Sequence, residues 1–328
     1  MCVCRKGWHG ADCSVPEALW STKNFQVWYS QGLITRRSRP RSIFSGVVIN
    51  HEIDLFEIRV REVGDAVDYY IVCESNFTFF GEAKPAHFQS KLTAGFLRDN
   101  ASKIIPVVVG DRNFDHNDPW APENYLRTTL WLEGERRLKN VRDDDLVMLA
   151  DADEVPSRDV LLFLKHHDGY GEPIALRMRS FLYGFFWEMD KKTEVGAVCT
   201  VAFLRKLYKN DLARLRRMDT YSPRMLPHTG TFQLPWVIEG TWPHYAGWHC
   251  SWCFDARGIQ VKLTAAQKDD GVRWGDYAEK TDLAYIDSLR KTGRYFDGSS
   301  PLKNCNAYEA APPYVRANLD RFRYLMIP

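Results

Sequence analysis

The 328-residue sequence contains no run approaching the roughly 20 apolar residues that a membrane-spanning helix needs. Its opening, Met1-Cys2-Val3-Cys4, lacks the hydrophobic region of a secretory signal peptide. The chain as it stands is therefore expected to be soluble. Charge of one sign is missing too: 44 basic residues face 42 acidic ones, a formal net charge of +2. So balanced a surface leaves no electrostatic footprint for nucleic acid. No internal repeat and no low-complexity tract is present, which excludes solenoids and repeat arrays. What is abundant is apolar and aromatic: 45% of residues are hydrophobic, and there are eleven tryptophans. That suffices for one large core or two modest ones. Most of these tryptophans are expected in the core, and the others would offer flat apolar platforms suited to sugar faces.

Two features point to an oxidising compartment. The run Cys2-Val3-Cys4-Arg5-Lys6-Gly7-Trp8-His9-Gly10-Ala11-Asp12-Cys13 resembles the C-terminal half of an epidermal-growth-factor-like module. In such a module the last two cysteines pair, which implies Cys4–Cys13 and leaves Cys2 with a partner upstream. The chain is thus expected to begin inside a module and to be a fragment of a longer protein. The second feature is a pair of N-glycosylation sequons, Asn76-Phe77-Thr78 and Asn100-Ala101-Ser102. Together they favour a lumenal setting. Pairing among Cys73, Cys199, Cys250, Cys253 and Cys305 is left open by the sequence.

Residues 1–16 form the half-module. Residues 17–41 read as a linker, with Arg36, Arg37, Arg39 and Arg41 a solvated basic run. From residue 42 the pattern alternates. Strands are expected at Ile43–Asn50, Val67–Glu74, Ile104–Val109 and Leu146–Ala150. Helices are expected at 53–63, His87–Leu97, Pro122–Asn140 and Pro156–His167, two of them led by proline. Strand and helix in alternation argue an α/β fold, a mainly parallel sheet flanked by helices. Its ligand site should lie beyond the carboxyl ends of the strands. Past residue 173 the alternation weakens, dividing 42–172, a nucleotide-binding half, from 173–328, an acceptor-binding half. Strands there are expected at Leu176–Trp187, Val198–Leu204, Thr231–Glu239 and Ala246–Phe254, with a helix at Tyr277–Thr292 and an irregular C-terminal strap.

The most informative segment is Asp145-Leu146-Val147-Met148-Leu149-Ala150-Asp151-Ala152-Asp153-Glu154-Val155-Pro156. An apolar strand delivers Asp151 and Asp153, then Glu154. Hard oxygen ligands at a strand end suit Mg²⁺ or Mn²⁺ bridging phosphate oxygens, and such a cation stabilises the charge on a departing nucleoside diphosphate. The same acids also suit plain charge at a helix N-terminus. A strand followed by Asp-x-Asp also resembles the first motif of haloacid-dehalogenase-type phosphatases, with Asp151 as nucleophile and Asp153 as acid/base. Cys250-x-x-Cys253 beside His249 admits zinc, but no second ligand pair accompanies it; a disulfide or two buried thiols is the competing reading. His249 is a candidate metal ligand or a hydrogen-bonded structural residue. In Arg273-Trp274-Gly275-Asp276-Tyr277, Asp276 reads either as a base in an apolar setting or as a helix cap.

The segments Cys73–Thr78, Asp151–Glu154, Leu182–Trp187, Ala246–Cys253 and Trp274–Tyr277 resemble glycosyltransferase family 17, over about residues 45 to 325. The resemblance implies a GT-A-like nucleotide-sugar-binding fold, UDP-GlcNAc as donor and Mn²⁺ as cofactor. It also implies a Golgi type II membrane enzyme anchored upstream of this chain. The product it implies is GlcNAc in β1,4 linkage on the core β-mannose of N-glycans, the bisecting residue. An α-linked donor giving a β-linked product requires inversion by one in-line displacement. In that scheme Asp153 ligates the metal, and Asp151 holds the ribose or a metal-bound water. Glu154 braces the strand end and His249 completes the metal site. Asp276 is the base, with Glu239 and Asp282 as alternatives. Asn50 and Glu74 contact uridine, and Trp187, Trp248, Trp252 and Trp274 stack on sugars. A glycan-binding protein on a transferase fold that has lost catalysis is the non-enzymatic alternative.

Overall fold

The computed structural model describes residues 3–115, 118, 120–190, 193–219, 235–265, 273–296, 298 and 301–328. Four strands, β1 (Ile43–Val48), β2 (Tyr69–Ser75), β3 (Ile104–Val109) and β4 (Leu146–Leu149), lie in the order β3-β2-β1-β4, all parallel. Their side chains are largely buried on both faces, as in parallel sheets covered by helices. The covering helices are α1 (Ile53–Val63), α2 (His87–Thr93), α3 (Ala121–Glu135) and α4 (Arg158–His166). α3 lies unusually close to the sheet. A Cβ on its Gly134 would stand 2.3 Å from the Ile71 side chain, so only glycine permits the approach.

The second half completes the sheet in mixed fashion. β5 (Glu154–Pro156), β6 (Ile174–Leu182), β7 (Trp187–Glu188), β8 (Thr193–Thr200), β9 (Trp236–Ile238), β10 (Gly247–Ser251) and β11 (Lys303–Asn304) bring it to eleven strands among the described residues. β8 runs antiparallel to both β4 and β6, while β9 and β10 run parallel to β6. The sheet is therefore continuous across residues 172 and 173. The expected α/β architecture is present and compatible with a GT-A-like fold. Its parallel character belongs to the first half and gives way to mixed pairing in the second.

Several expected elements differ for local reasons. Pro156 does not lead a helix: Glu154–Pro156 pair with Gly247–His249, and α4 starts after an extended Ser157. Val201–Leu204 is not strand. The Thr200 hydroxyl accepts the Phe203 N–H and starts α5 (Val201–Lys206), which α6 (Leu212–Arg217) follows. His87–Leu97 stops at Thr93 because Gly95 and Leu97 turn left-handed. The long helix from Pro122 ends at Glu135. After α7 (Ala256–Ala265), the helix expected over 277–292 is broken at Asp282, whose carboxylate caps α8 (Leu283–Thr292). Of the strand expected at 231–239, residues 231–234 lie outside the described residues, as does Cys2.

Residues 17–41 are not a solvated linker. Two short helices, Glu17–Trp20 and Phe25–Ser30, bury Ala18, Leu19 and Phe25 in the main core. Arg37 and Arg41 are drawn in by ion pairs to Asp168, with Asp144 also bound to Arg37. Cys4–Cys13 and Cys250–Cys253 are disulfides, whereas Cys73 and Cys199 are free buried thiols, and the Cys305 Sγ lies 3.1 Å from the Phe185 carbonyl oxygen. The 250–253 bond rules out the zinc reading of that pair. No helix among the described residues is long and apolar enough to cross a membrane.

Candidate active site

A cavity of about 380 Å³ opens at the carboxyl ends of β1, β2 and β4, where a parallel sheet is expected to bind its ligand. Asp151 and Asp153 line it just beyond β4. β10 contributes His249 and Ser251, α7 contributes Lys262, and α6 contributes Arg216.

The acids here are balanced by internal cations. Arg127 of α3 donates to both Asp151 oxygens at 2.9 and 3.1 Å. Arg216 donates to Asp151 at 2.7 Å and to the wholly buried Glu154 at 2.6 Å. Burial alone would raise the Asp151 carboxyl, but the two guanidiniums hold it well below the usual carboxylate range. Glu154 shares Arg216 and a negative neighbour, so burial prevails and pushes it up. Asp153 faces Lys262 at 3.1 Å, and the same ammonium lies 3.7 Å from Glu52. Burial works against the Lys262 charge, yet Asp153 and Glu52 hold its pKa above the ordinary lysine range.

Asp153, Glu154 and His249 each present one ligand atom, all within 4.8 Å of one another. The His249 Nε2 stands 3.8 Å from Asp153, and its buried Nδ1 has no partner among the described residues. Two carboxylates with an imidazole form a donor set that suits a divalent cation. Trp252 covers one wall, 3% exposed and left-handed at φ 56°, bracketed by the Cys250–Cys253 disulfide.

The family model for glycosyltransferase family 17 matches residues 22–213, more than half of the chain. The chain belongs to glycosyltransferase family 17. The match begins inside the stretch expected as linker, in keeping with the packing of that segment. Curated relatives from rat, human and mouse are each 42% identical over 338 aligned residues. Each is named beta-1,4-mannosyl-glycoprotein 4-beta-N-acetylglucosaminyltransferase. The alignments cover 99% of this chain and 61–62% of each relative, so the chain spans about three fifths of their length. The phosphatase reading does not survive: the family differs, and both oxygens of Asp151, its required nucleophile, are tied to guanidinium groups.

Of the residues singled out in the sequence of this family 17 chain, the cavity gathers Asn50, Asp151, Asp153, His249 and Trp252. Glu74 is elsewhere: its carboxylate accepts the Phe88 and Gln89 N–H groups at the start of α2. Trp187 and Trp248 spend their indole N–H groups on the Arg290 and Ala310 carbonyls, and Trp274 packs against the second core. Asp276, its side chain 60% exposed, pairs with Arg273 at 3.2 Å. It is not among the residues lining the cavity; next to it Gly275 abuts Leu263, which follows Lys262 on α7, and Arg273 covers Phe80. Glu239 pairs with Arg177, and Asp282 is the cap of α8.

Sequence reasoning missed Glu52, Lys84, Arg127, Arg216 and Lys262. Glu52 had a signal, since it is a carboxylate just past the end of a central strand. Arg216 sits in the basic run Arg214-Leu215-Arg216-Arg217, which reads as a solvated face. Lys84 and Lys262 carry no local pattern at all.

Proposed function

We propose that this chain is the catalytic part of an inverting glycosyltransferase. It transfers GlcNAc from UDP-GlcNAc in β1,4 linkage to the core β-mannose of N-glycans on glycoproteins. The observation that carries the reading is the Asp153–Glu154–His249 cluster at the carboxyl edge of the sheet, of which Asp153 and His249 line a cavity that also holds Lys262 and Arg216. The names of the relatives, all N-acetylglucosaminyltransferases of mannosyl-glycoproteins, support the transferred sugar and the acceptor. The disulfides support an oxidising lumen, taken here as the Golgi lumen.

Asp153 and His249 would hold Mn²⁺, with Glu154 behind them. The cation, when bound, offsets the negative charge that grows on the departing UDP. Lys262 and Arg216 supply further fixed positive charge beside it, pre-oriented by the same acids. Asp276 is the proposed base. Its carboxylate takes the acceptor hydroxyl proton as the mannose oxygen bonds to the sugar C1 and the C1–phosphate bond breaks on the opposite face. Trp252 offers the sugar an apolar wall.

The decisive experiment incubates the protein with UDP-GlcNAc, UDP-Gal or UDP-Glc and Mn²⁺ over a panel of N-glycans. The expected product carries one added β1,4-GlcNAc on the core mannose. Transfer of another sugar, or none by a folded protein that binds UDP, overturns the proposal. Asp276→Asn should leave UDP binding unchanged and lower transfer by about 100-fold, the low end for a general base. Retained transfer would move the base elsewhere.

A further inference from the structure

At the end of β10 the Cys250–Cys253 disulfide closes a small ring around Ser251 and Trp252. Trp252 lines the cavity, yet its backbone is left-handed at φ 56°, a conformation that a bulky side chain rarely adopts. Such a residue persists only where its surroundings over-determine it. The covalent ring holds it from one side. Phe296 holds it from the other, with ring centroids 4.4 Å apart. Tyr183, left-handed as well, donates its N–H to the Ser251 carbonyl at 3.0 Å and meets the same Phe296 edge-on.

The ring is tied to the acid cluster at several points. The Cys250 N–H donates to the Asp153 carbonyl at 2.9 Å. Lys262, the cation paired with Asp153, places its ammonium 5.7 Å from the Trp252 ring centroid and 5.9 Å from that of Phe254, within cation–π range. Phe254 in turn stacks on His51, with centroids 4.4 Å apart. One covalent loop thus touches the peptide of a proposed metal ligand, that ligand's counter-ion and the cavity wall. Neither Cys250 nor Cys253 is exposed, so a thiol reaches the bond only when the loop opens. A ligand packed on Trp252 keeps the loop closed.

We propose that the Cys250–Cys253 disulfide is a redox-sensitive latch that positions Trp252 and Lys262 for donor binding. A dithiol reductant opens it. Its thiolate attacks one sulfur, forms a mixed disulfide and releases the other cysteine, which takes up a proton. The second thiol of the reductant then closes its own disulfide and frees the first cysteine. Two electrons pass, leaving two cysteine thiols and one oxidised reductant. Without the ring, Trp252 relaxes out of the left-handed region, and the wall and the Lys262 ammonium shift with it. Cys250 and Cys253 are positioning residues, acting through Trp252 and Lys262. The inference rests on reading the cavity as a nucleotide-sugar site.

The test reduces the protein with dithiothreitol, desalts it under argon and titrates UDP-GlcNAc with Mn²⁺ by calorimetry. Iodoacetamide labelling read by mass spectrometry reports which cysteines have opened. Label is expected at Cys250 and Cys253 and not at the buried Cys73 and Cys199. Binding should weaken about ten-fold, the loss of one aromatic contact, and return on reoxidation. UDP-GlcNAc at about ten times its Kd, with Mn²⁺, should slow the labelling about ten-fold. Cys4→Ser/Cys13→Ser should respond to reductant as the wild type does, and Cys250→Ala/Cys253→Ala should bind as the reduced protein does. Trp252→Gly accepts φ 56° without strain and should bind weakly in both states. Unchanged binding after full labelling overturns the inference, as does wild-type affinity in a folded Cys250→Ala/Cys253→Ala protein. So does label that reaches Cys250 and Cys253 only together with Cys73 and Cys199, because the bond then opens only with the whole fold. A ten-fold redox response that survives in Trp252→Gly overturns it too. A redox response in donor binding by a protein that transfers no sugar sinks the transferase reading and leaves the latch standing. GlcNAc transfer with equal donor binding in both states does the reverse.

Discussion

The two lobes of the cavity are built on opposite plans. Beyond β4 every acid has a cation: Asp151 has Arg127 and Arg216, Glu154 has Arg216, and Asp153 has Lys262. Over β1 and β2, Asn50 Oδ1 and Lys84 Nζ have no hydrogen-bond partner among the described residues, and only the fields of Glu74 and Glu52 favour the Lys84 charge. In the first lobe each carboxylate is matched by a cation without a ligand, so these charges are held in place before anything binds, although His249 Nδ1 and Arg127 Nε have no hydrogen-bond partner among the described residues. The second leaves two buried polar atoms without a hydrogen bond. Arrangements of the first kind serve stability and preorganisation together, whereas unpaired buried groups of the second kind cost stability. Substitutions in the two lobes should therefore separate in stability and in binding.

The largest effect is expected at Asp153. Asp153→Asn keeps the shape but removes the charge proposed to hold the cation. Transfer should fall by about 1000-fold, roughly 4 kcal/mol of barrier, in a protein with an unchanged circular dichroism spectrum. A loss under ten-fold would remove Asp153 from the metal. Arg216→Met comes next. It strips the shared counter-charge from Glu154, which is wholly buried, and from Asp151, and one-sided removal of a buried ion pair costs about 3–5 kcal/mol. Denaturant unfolding should register most of that, and a change under about 1 kcal/mol would mean the first lobe is not the closed network described. Lys262→Met sharpens the contrast, because the ammonium occupies Asp153 where the cation is proposed to bind. Mn²⁺ titrated without nucleotide should bind about ten-fold more tightly to this variant, a gain of about 1.4 kcal/mol. Weaker binding would make Lys262 a supporter of the cation site and not its competitor. The smallest effect belongs to Lys84→Met, which removes an unpartnered ammonium whose pKa burial already lowers. Unfolding free energy should stay within about 0.5 kcal/mol of wild type or rise. A loss matching that of Arg216→Met would erase the distinction between the lobes.

Much of the first half of the fold was legible because its signals are local. Ile104–Val109 is a run of β-formers and appears as strand over those residues. Ile53, Phe56, Val60 and Val63 repeat at helical spacing and are buried or half-buried on α1. The strand-end acids were legible for the same reason, since an apolar run delivers Asp151 and Asp153 to one edge. Their partners were not. Arg127, Arg216 and Lys262 reach the site from three separate helices, and only the packing of those helices brings them within 3.1 Å of the acids. Of the basic run, Arg36 and Arg39 are exposed as expected, but Arg37 and Arg41 were misjudged for the converse reason. Their acidic partners, Asp144 and Asp168, lie more than a hundred residues away in sequence. Glu74 was a plausible strand-end ligand, but the first turn of α2 claims its carboxylate. Tryptophans are ambiguous by nature, because an indole that spends its N–H on a backbone carbonyl looks in sequence like one that faces a cavity.

Arg59 is wholly buried on α1, and its guanidinium donates to the Ala150 and Asp151 carbonyls and to the Ser45 hydroxyl. It acts as a rivet between a helix, the neighbouring strand and the peptide that carries the first aspartate. Because it grips main-chain oxygens, the backbone at this point stays registered to α1 whatever side chain position 151 bears. A library randomised at position 151 should accordingly change chemistry while amide exchange in β4 stays slow, and the same library built on Arg59→Leu should not.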